Sequence, residues 1–118
     1  MGRIELPDFD MMFDLIDEIG SLAKRSMELE LELKLGEAKV TLTATSDTKY
    51  FQNGKSPSQT FIDSSWKITG FDGELIPLRE ELIGCEWKME VAKGRLDLLK
   101  KMIEIWRTQS ANERLTVV

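Results

Sequence analysis

Residues 27–46 read MELELELKLGEAKVTLTATS, and the fold turns on how this stretch is taken. Leu29, Leu31, Leu33 and Leu35 alternate with Glu28, Glu30, Glu32 and Lys34, the period of two that marks a strand with one dry face. Beyond Gly36-Glu37, Ala38, Val40, Leu42 and Ala44 alternate with Lys39, Thr41, Thr43 and Thr45. A two-residue turn at Gly36-Glu37 sets Leu35 opposite Ala38, Leu33 opposite Val40, Leu31 opposite Leu42 and Leu29 opposite Ala44. In that register every leucine lies on the apolar face, and the glutamates meet threonines on the other. The pattern predicts a β-hairpin over 27–46.

The neighbouring segments extend this reading. Over 60–76, Ile62, Ser64, Trp66 and Ile68 share one strand face, Asp72-Gly73 is a tight-turn signal before Leu75 and Ile76, and Pro77 ends the pattern. Upstream, Pro7 and Asp8 are helix start signals, and Phe9, Met12, Phe13, Ile16, Ile19 and Ala23 recur at helical spacing over 8–26. The polar stretch 47–59, with Asn53-Gly54 and Pro57, reads as a loop. From 78 to 109, Leu78, Leu82, Cys85, Met89, Ala92, Leu96, Leu99, Ile103 and Trp106 follow steps of four and three, a heptad seam. This predicts one long helix, with Gly84 and Gly94 as candidate breaks and an alternative strand over 85–92 between them. Residues 110–118 read as a tail. The expected fold is a single α+β domain over 1–118: an N-terminal helix, an antiparallel sheet of three or more strands, and a long C-terminal helix.

Composition narrows the chemistry. The 118 residues include 16 basic and 21 acidic side chains, no histidine and one cysteine, for a net charge of −5. Without imidazole there is no Ser-His or Cys-His nucleophile pair, and a lone Cys85 makes neither an internal disulfide nor a cysteine zinc site. Cys85 lies in the heptad seam and reads as a small buried hydrophobe. No apolar run approaches the ~20 residues that span a bilayer, and the chain reads as cytoplasmic, non-enzymatic and without a cofactor. Charge is uneven: residues 1–26 carry −3, 27–46 carry −2, 47–77 carry −1 and 78–118 carry +1. An acidic chain argues against broad binding to nucleic acid, which requires neutralising phosphates with several Lys and Arg.

Three surfaces stand out. The first is the C-terminal helix, where Val91, Leu98 and Ile105 hold successive c positions beside the seam and Trp87 adds an anchor. A helix with so broad an apolar face asks for two neighbours. Lys93, Lys100 and Arg107 add a basic edge, and the partner expected is protein, foremost a second copy of the chain. Pairing through the seam itself is discouraged, because a parallel pair opposes Glu81 to Glu86, Lys88 to Lys93 and Arg95 to Lys100. The second surface is the 47–59 loop, where Lys49, Tyr50, Phe51 and Lys55 combine rings and cations as single-stranded nucleic acid sites do. The third is the acidic face of the first helix: Asp10, Asp14, Asp17 and Glu18 supply the oxygens that a divalent cation of a metal-dependent enzyme takes.

Overall fold

Glu, Leu, Lys and Ala, which fill most of 27–46, are among the strongest helix formers, and in the folded chain that propensity prevails. The computed structural model describes residues 8–116, so Pro7 and the end of the tail, Val117-Val118, lie outside it. Helix α1 runs unbroken over Phe9–Ser46, through the whole of the expected hairpin. A 3-10 turn, Thr48–Tyr50, follows, then two short helices, α2 (Gln59–Ser64) and α3 (Trp66–Thr69), and a long helix α4 (Ile76–Thr116). Among the described residues there is no strand, only an isolated bridge between Gln52 and Lys55. The expected α+β fold is therefore replaced by an all-helical one.

Both expected strand regions fail for identifiable reasons. Alternate leucines satisfy two periods at once, because Leu29 and Leu33 are also i and i+4 on a helix. Ser26, Leu29, Leu33, Val40 and Ala44 are buried, at steps of three, four, seven and four. Leu31 and Leu35, which a hairpin places on the dry face, are 59% and 63% exposed. Gly36 is no turn. A Cβ there would lie 2.6 Å from Leu75 Cδ2, so this glycine makes room on α1 for the residue just before α4 rather than reversing the chain. Over 60–76 the Ile62/Ser64/Trp66/Ile68 alternation gives way to α2 and α3. Ser58 caps α2, its hydroxyl accepting the Phe61 N–H. Of the expected face Ile62 is buried, whereas Ile68 is exposed. Pro77, read as a stop, stands in the first turn of α4, where its missing N–H is harmless.

Other readings survive. Asp8 starts α1, its carboxylate accepting the Asp10 N–H at 2.9 Å. Asn53-Gly54 turns the chain, with φ of +52° and +76°, inside the paired Gln52 and Lys55 backbones. Helix α4 crosses both Gly84 and Gly94 without a break, and the strand alternative over 85–92 does not form. It runs on to Thr116, so the stretch from 110 expected to be a tail is helix as far as it is described.

The described chain divides into two compact units, one of residues 24–86 and one joining residues 8–23 with 87–116. In the first, Leu33, Val40 and Leu75 form a buried cluster on which Trp66, Phe71, Leu78 and Leu82 pack. Gly36 sits against Leu75, Glu37 pairs with Arg79, and Arg25 pairs with Glu81, so α1 and α4 run antiparallel here. Arg79 also ties down α3: its Nε donates to the Ile68 carbonyl at 2.6 Å and Nη2 to the Lys67 carbonyl at 3.0 Å. These are carbonyls at a helix C-terminus, which lack partners inside their own helix. In the other unit Leu15 and Ala92 are buried, with Met12, Ile19, Leu96 and Leu99 half-buried.

The four glycines within α1 and α4, Gly20, Gly36, Gly84 and Gly94, separate by environment. A Cβ at Gly94 meets nothing within 4 Å, so Gly94→Ala gains helix propensity and raises unfolding free energy by about 0.5–1 kcal/mol. At Gly36 the neighbour is a buried leucine, so Gly36→Ala lowers stability by about 1–3 kcal/mol through overpacking. Urea unfolding of the two variants checks the opposite signs.

Candidate association surface

Helix α4 carries apolar residues on two sides. The heptad seam is covered within the chain: Cys85 and Ala92 are buried, and Leu78, Leu82, Met89, Leu96, Leu99, Ile103 and Trp106 are half-buried. The c-position stripe is not. Trp87 is 68% exposed and Leu98 59%, and Val91 and Ile105 are exposed as well. At 3.6 residues per turn the c positions lie about 130° round the helix from the seam midline, so this stripe faces away from the seam rather than broadening it. Trp87, Val91, Gly94, Leu98, Lys101 and Ile105 follow steps of four, three, four, three and four, a second seam on the outer side of the helix.

The charged residues sort differently from expectation. Lys93, Lys100 and Arg107 are exposed but occupy the row flanking the covered seam, about 130° from the outer stripe. Lys93 sits 3.9 Å from Glu90. The basic residues that border the outer stripe are Lys88 and Arg95. Lys88 and Arg95 line a groove of about 350 Å³ with Glu18, Trp87, Val91 and Ala92, and Arg95 lines a second, of about 320 Å³, with Met11, Leu15, Leu98 and Leu99. The other border of the stripe is acidic: Glu90, Asp97 and Glu104. Lettered from the covered seam, Lys88 and Arg95 count only as its flanking residues, and Glu90, Asp97 and Glu104 do not enter. Heptad lettering carried to the c positions finds them.

The loop residues divide. Tyr50 stacks on Phe71 with ring centroids 4.0 Å apart and meets Trp66 edge-on at 5.5 Å, and Lys49 Nζ stands 5.5 Å from the Tyr50 centroid. Phe51 is half-buried, and Lys55 is exposed in the Gln52–Lys55 turn. Tyr50 thus belongs to an aromatic group with Phe61, Trp66 and Phe71 that caps the core of the 24–86 unit. Asp10, Asp14, Asp17 and Glu18 are all exposed along α1. Among the described residues no group of three or more His, Cys, Asp or Glu side chains is placed to hold a metal ion. Nor is any helix long and apolar enough to cross a membrane.

Among the described residues two carboxylates are perturbed, both in the 24–86 unit. Arg25 grips Glu81 through two bonds, Nε–Oε1 at 2.7 Å and Nη2–Oε2 at 2.9 Å, and stands near Glu28 and Glu32. The Glu81 pKa is lowered by the hydrogen bond from Arg25 and by its charge, and the guanidinium is raised further by the same contact. Glu74 is lowered by backbone N–H donors, its own and those of Asp72 and Phe71. Its carboxylate fills the space beside Gly70, whose φ is +81°. Compared with known proteins, the chain matches no family model, no curated protein and no solved structure.

Depressed carboxylates bind protons less readily in the folded chain than in the unfolded one, so their contribution is complete above the ordinary carboxylate pKa and is lost as pH falls through the folded values. Acid titration followed by circular dichroism is expected to show the wild type weakening as pH drops below the ordinary carboxylate value of 4.5. Glu74→Gln is expected to be less stable at pH 7 and to lose less on acidification.

Proposed function

We propose that this protein acts by association rather than chemistry, as a non-enzymatic module that binds protein, including further copies of itself, through the outer face of α4. The observation that carries this is the exposure of Trp87, Val91, Leu98 and Ile105 along one face, away from the seam that the chain covers itself. Contiguous apolar surface left in water is unfavourable by about 25 cal/mol per Å², and patches of this kind mark sites of interaction. A tryptophan within such a patch is the side chain best suited to anchor a partner. The groove between Trp87, Val91 and Arg95 gives a partner side chain somewhere to seat.

Sedimentation velocity and light scattering test the reading over a range of concentrations. The mean mass is expected to rise with concentration. Leu98→Asp is expected to weaken association by about ten-fold or more, with unchanged helical circular dichroism because Leu98 is exposed. Lys100→Glu, on the other side of the helix, is expected to leave the mass unchanged. A strict monomer up to millimolar concentration would end the self-association form of the proposal.

A further inference from the structure

The outer face of α4 is asymmetric in charge, and that asymmetry selects an occupant and a direction. Its apolar line runs through Trp87, Val91, Leu98 and Ile105, at steps of four, seven and seven, and Gly94 and Lys101 complete the four-three spacing of a coiled-coil seam. One border of that line is the acidic row Glu90, Asp97 and Glu104; the other carries Lys88 and Arg95. All of these charged residues are exposed. When two copies of one helix pair antiparallel, each border meets its own counterpart, so acidic row faces acidic row and Arg95 approaches the partner's basic row. When they pair parallel, unlike borders meet, and Glu90 comes opposite the partner's Arg95 twice over by symmetry.

Resting on the association proposed above, we infer that the occupant of this face is the α4 of a second copy, packed parallel and in register, with Glu90 of each copy against Arg95 of the other. Lys101 then falls on the seam between Leu98 and Ile105 and meets its own counterpart. A cation at one seam position weakens a coiled coil while fixing its register. The dimer is accordingly of modest affinity, formed and released with concentration. The contact from Lys93 to Glu90, 3.9 Å long, is at the limit of ion pairing and leaves Glu90 available.

Lys101→Cys tests both direction and register. In the parallel in-register pair the two introduced thiols meet across the seam, and mild oxidation is expected to give a disulfide-linked dimer. In an antiparallel pair centred on the stripe they stand well beyond the roughly 7 Å between Cα atoms that a disulfide bridges. The native Cys85 is buried, so the unmutated chain is the control, and Lys100→Cys, on another face, is expected to link at least about ten-fold more slowly. Glu90→Arg is expected to weaken the dimer by about ten-fold, by setting two arginine pairs in place of two ion pairs, and Glu90→Arg with Arg95→Glu to restore it. A chain that dimerises through Leu98 yet gives no bond at position 101, or tightens with Glu90→Arg, overturns the parallel arrangement and leaves the association standing. A monomer at every concentration overturns both.

Discussion

Leu75 seated on Gly36 is the contact from which the 24–86 unit is built. Two helices approach only as closely as the side chains between them allow, typically 8–10 Å between axes. With no side chain at Gly36, the leucine that ends the connection from α3 enters the space a Cβ would fill and joins Leu33 and Val40 in the core. That fixes where α4 starts against α1. It also brings Arg79 within reach of Glu37 and of the α3 carbonyls, so one guanidinium joins three elements. The aromatic group of Tyr50, Phe61, Trp66 and Phe71 then closes over the connection. The connecting segment has little regular structure of its own, and it is held by these rings and by Glu74 accepting from the Phe71 and Asp72 backbones.

What could be read in the sequence depended on whether a pattern admitted one period or two. The α4 seam steps by four and three over Leu78 to Trp106, a spacing no strand produces, and the structure covers every one of its positions at least in part. The 27–46 stretch admits both periods. Strict alternation of Leu with Glu is also a helix with every second residue apolar, and half of its leucines then lie outside the buried stripe. The information that decides between them was present: Glu, Leu and Lys are strong helix formers, β-branched residues appear only from Val40 onward, and one glycine is poor evidence of a hairpin. What favours the strand period is only that its pairing register is self-consistent. In 60–76 the runs are shorter, and the signal that favours helix there is Ser58, the cap whose hydroxyl accepts the Phe61 N–H.

The candidate surface was legible as a set of residues but not as a geometry. Trp87, Val91, Leu98 and Ile105 do share an exposed face. Their position relative to the seam follows from 3.6 residues per turn alone, and it removes Lys93, Lys100 and Arg107 from that face while bringing in Lys88, Arg95, Glu90, Asp97 and Glu104. The net charge of −5 obscures this, since a sum over the chain says nothing about rows on one helix. For Tyr50, ring and cation do stand together, but the ring already has Phe71 and Trp66 as neighbours, contacts set by how 47–76 folds and not by local sequence.

A helix with apolar residues on two sides poses a problem that charge resolves. Apolar attraction is non-directional, so an outer stripe of Trp, Val, Leu and Ile by itself adheres to any comparable surface in any orientation. An acidic border on one side and a basic one on the other remove that freedom, because each wrong orientation opposes like charges at close range while one orientation opposes unlike charges. The individual pairs are exposed and weak, about 0.2–1 kcal/mol each, too little to hold two chains together. They are enough to choose between arrangements that bury similar apolar area. Within the 24–86 unit the inner seam has no need of this device: Leu78 and Leu82 pack on the core of the same chain, and Leu75 on Gly36 sets their direction.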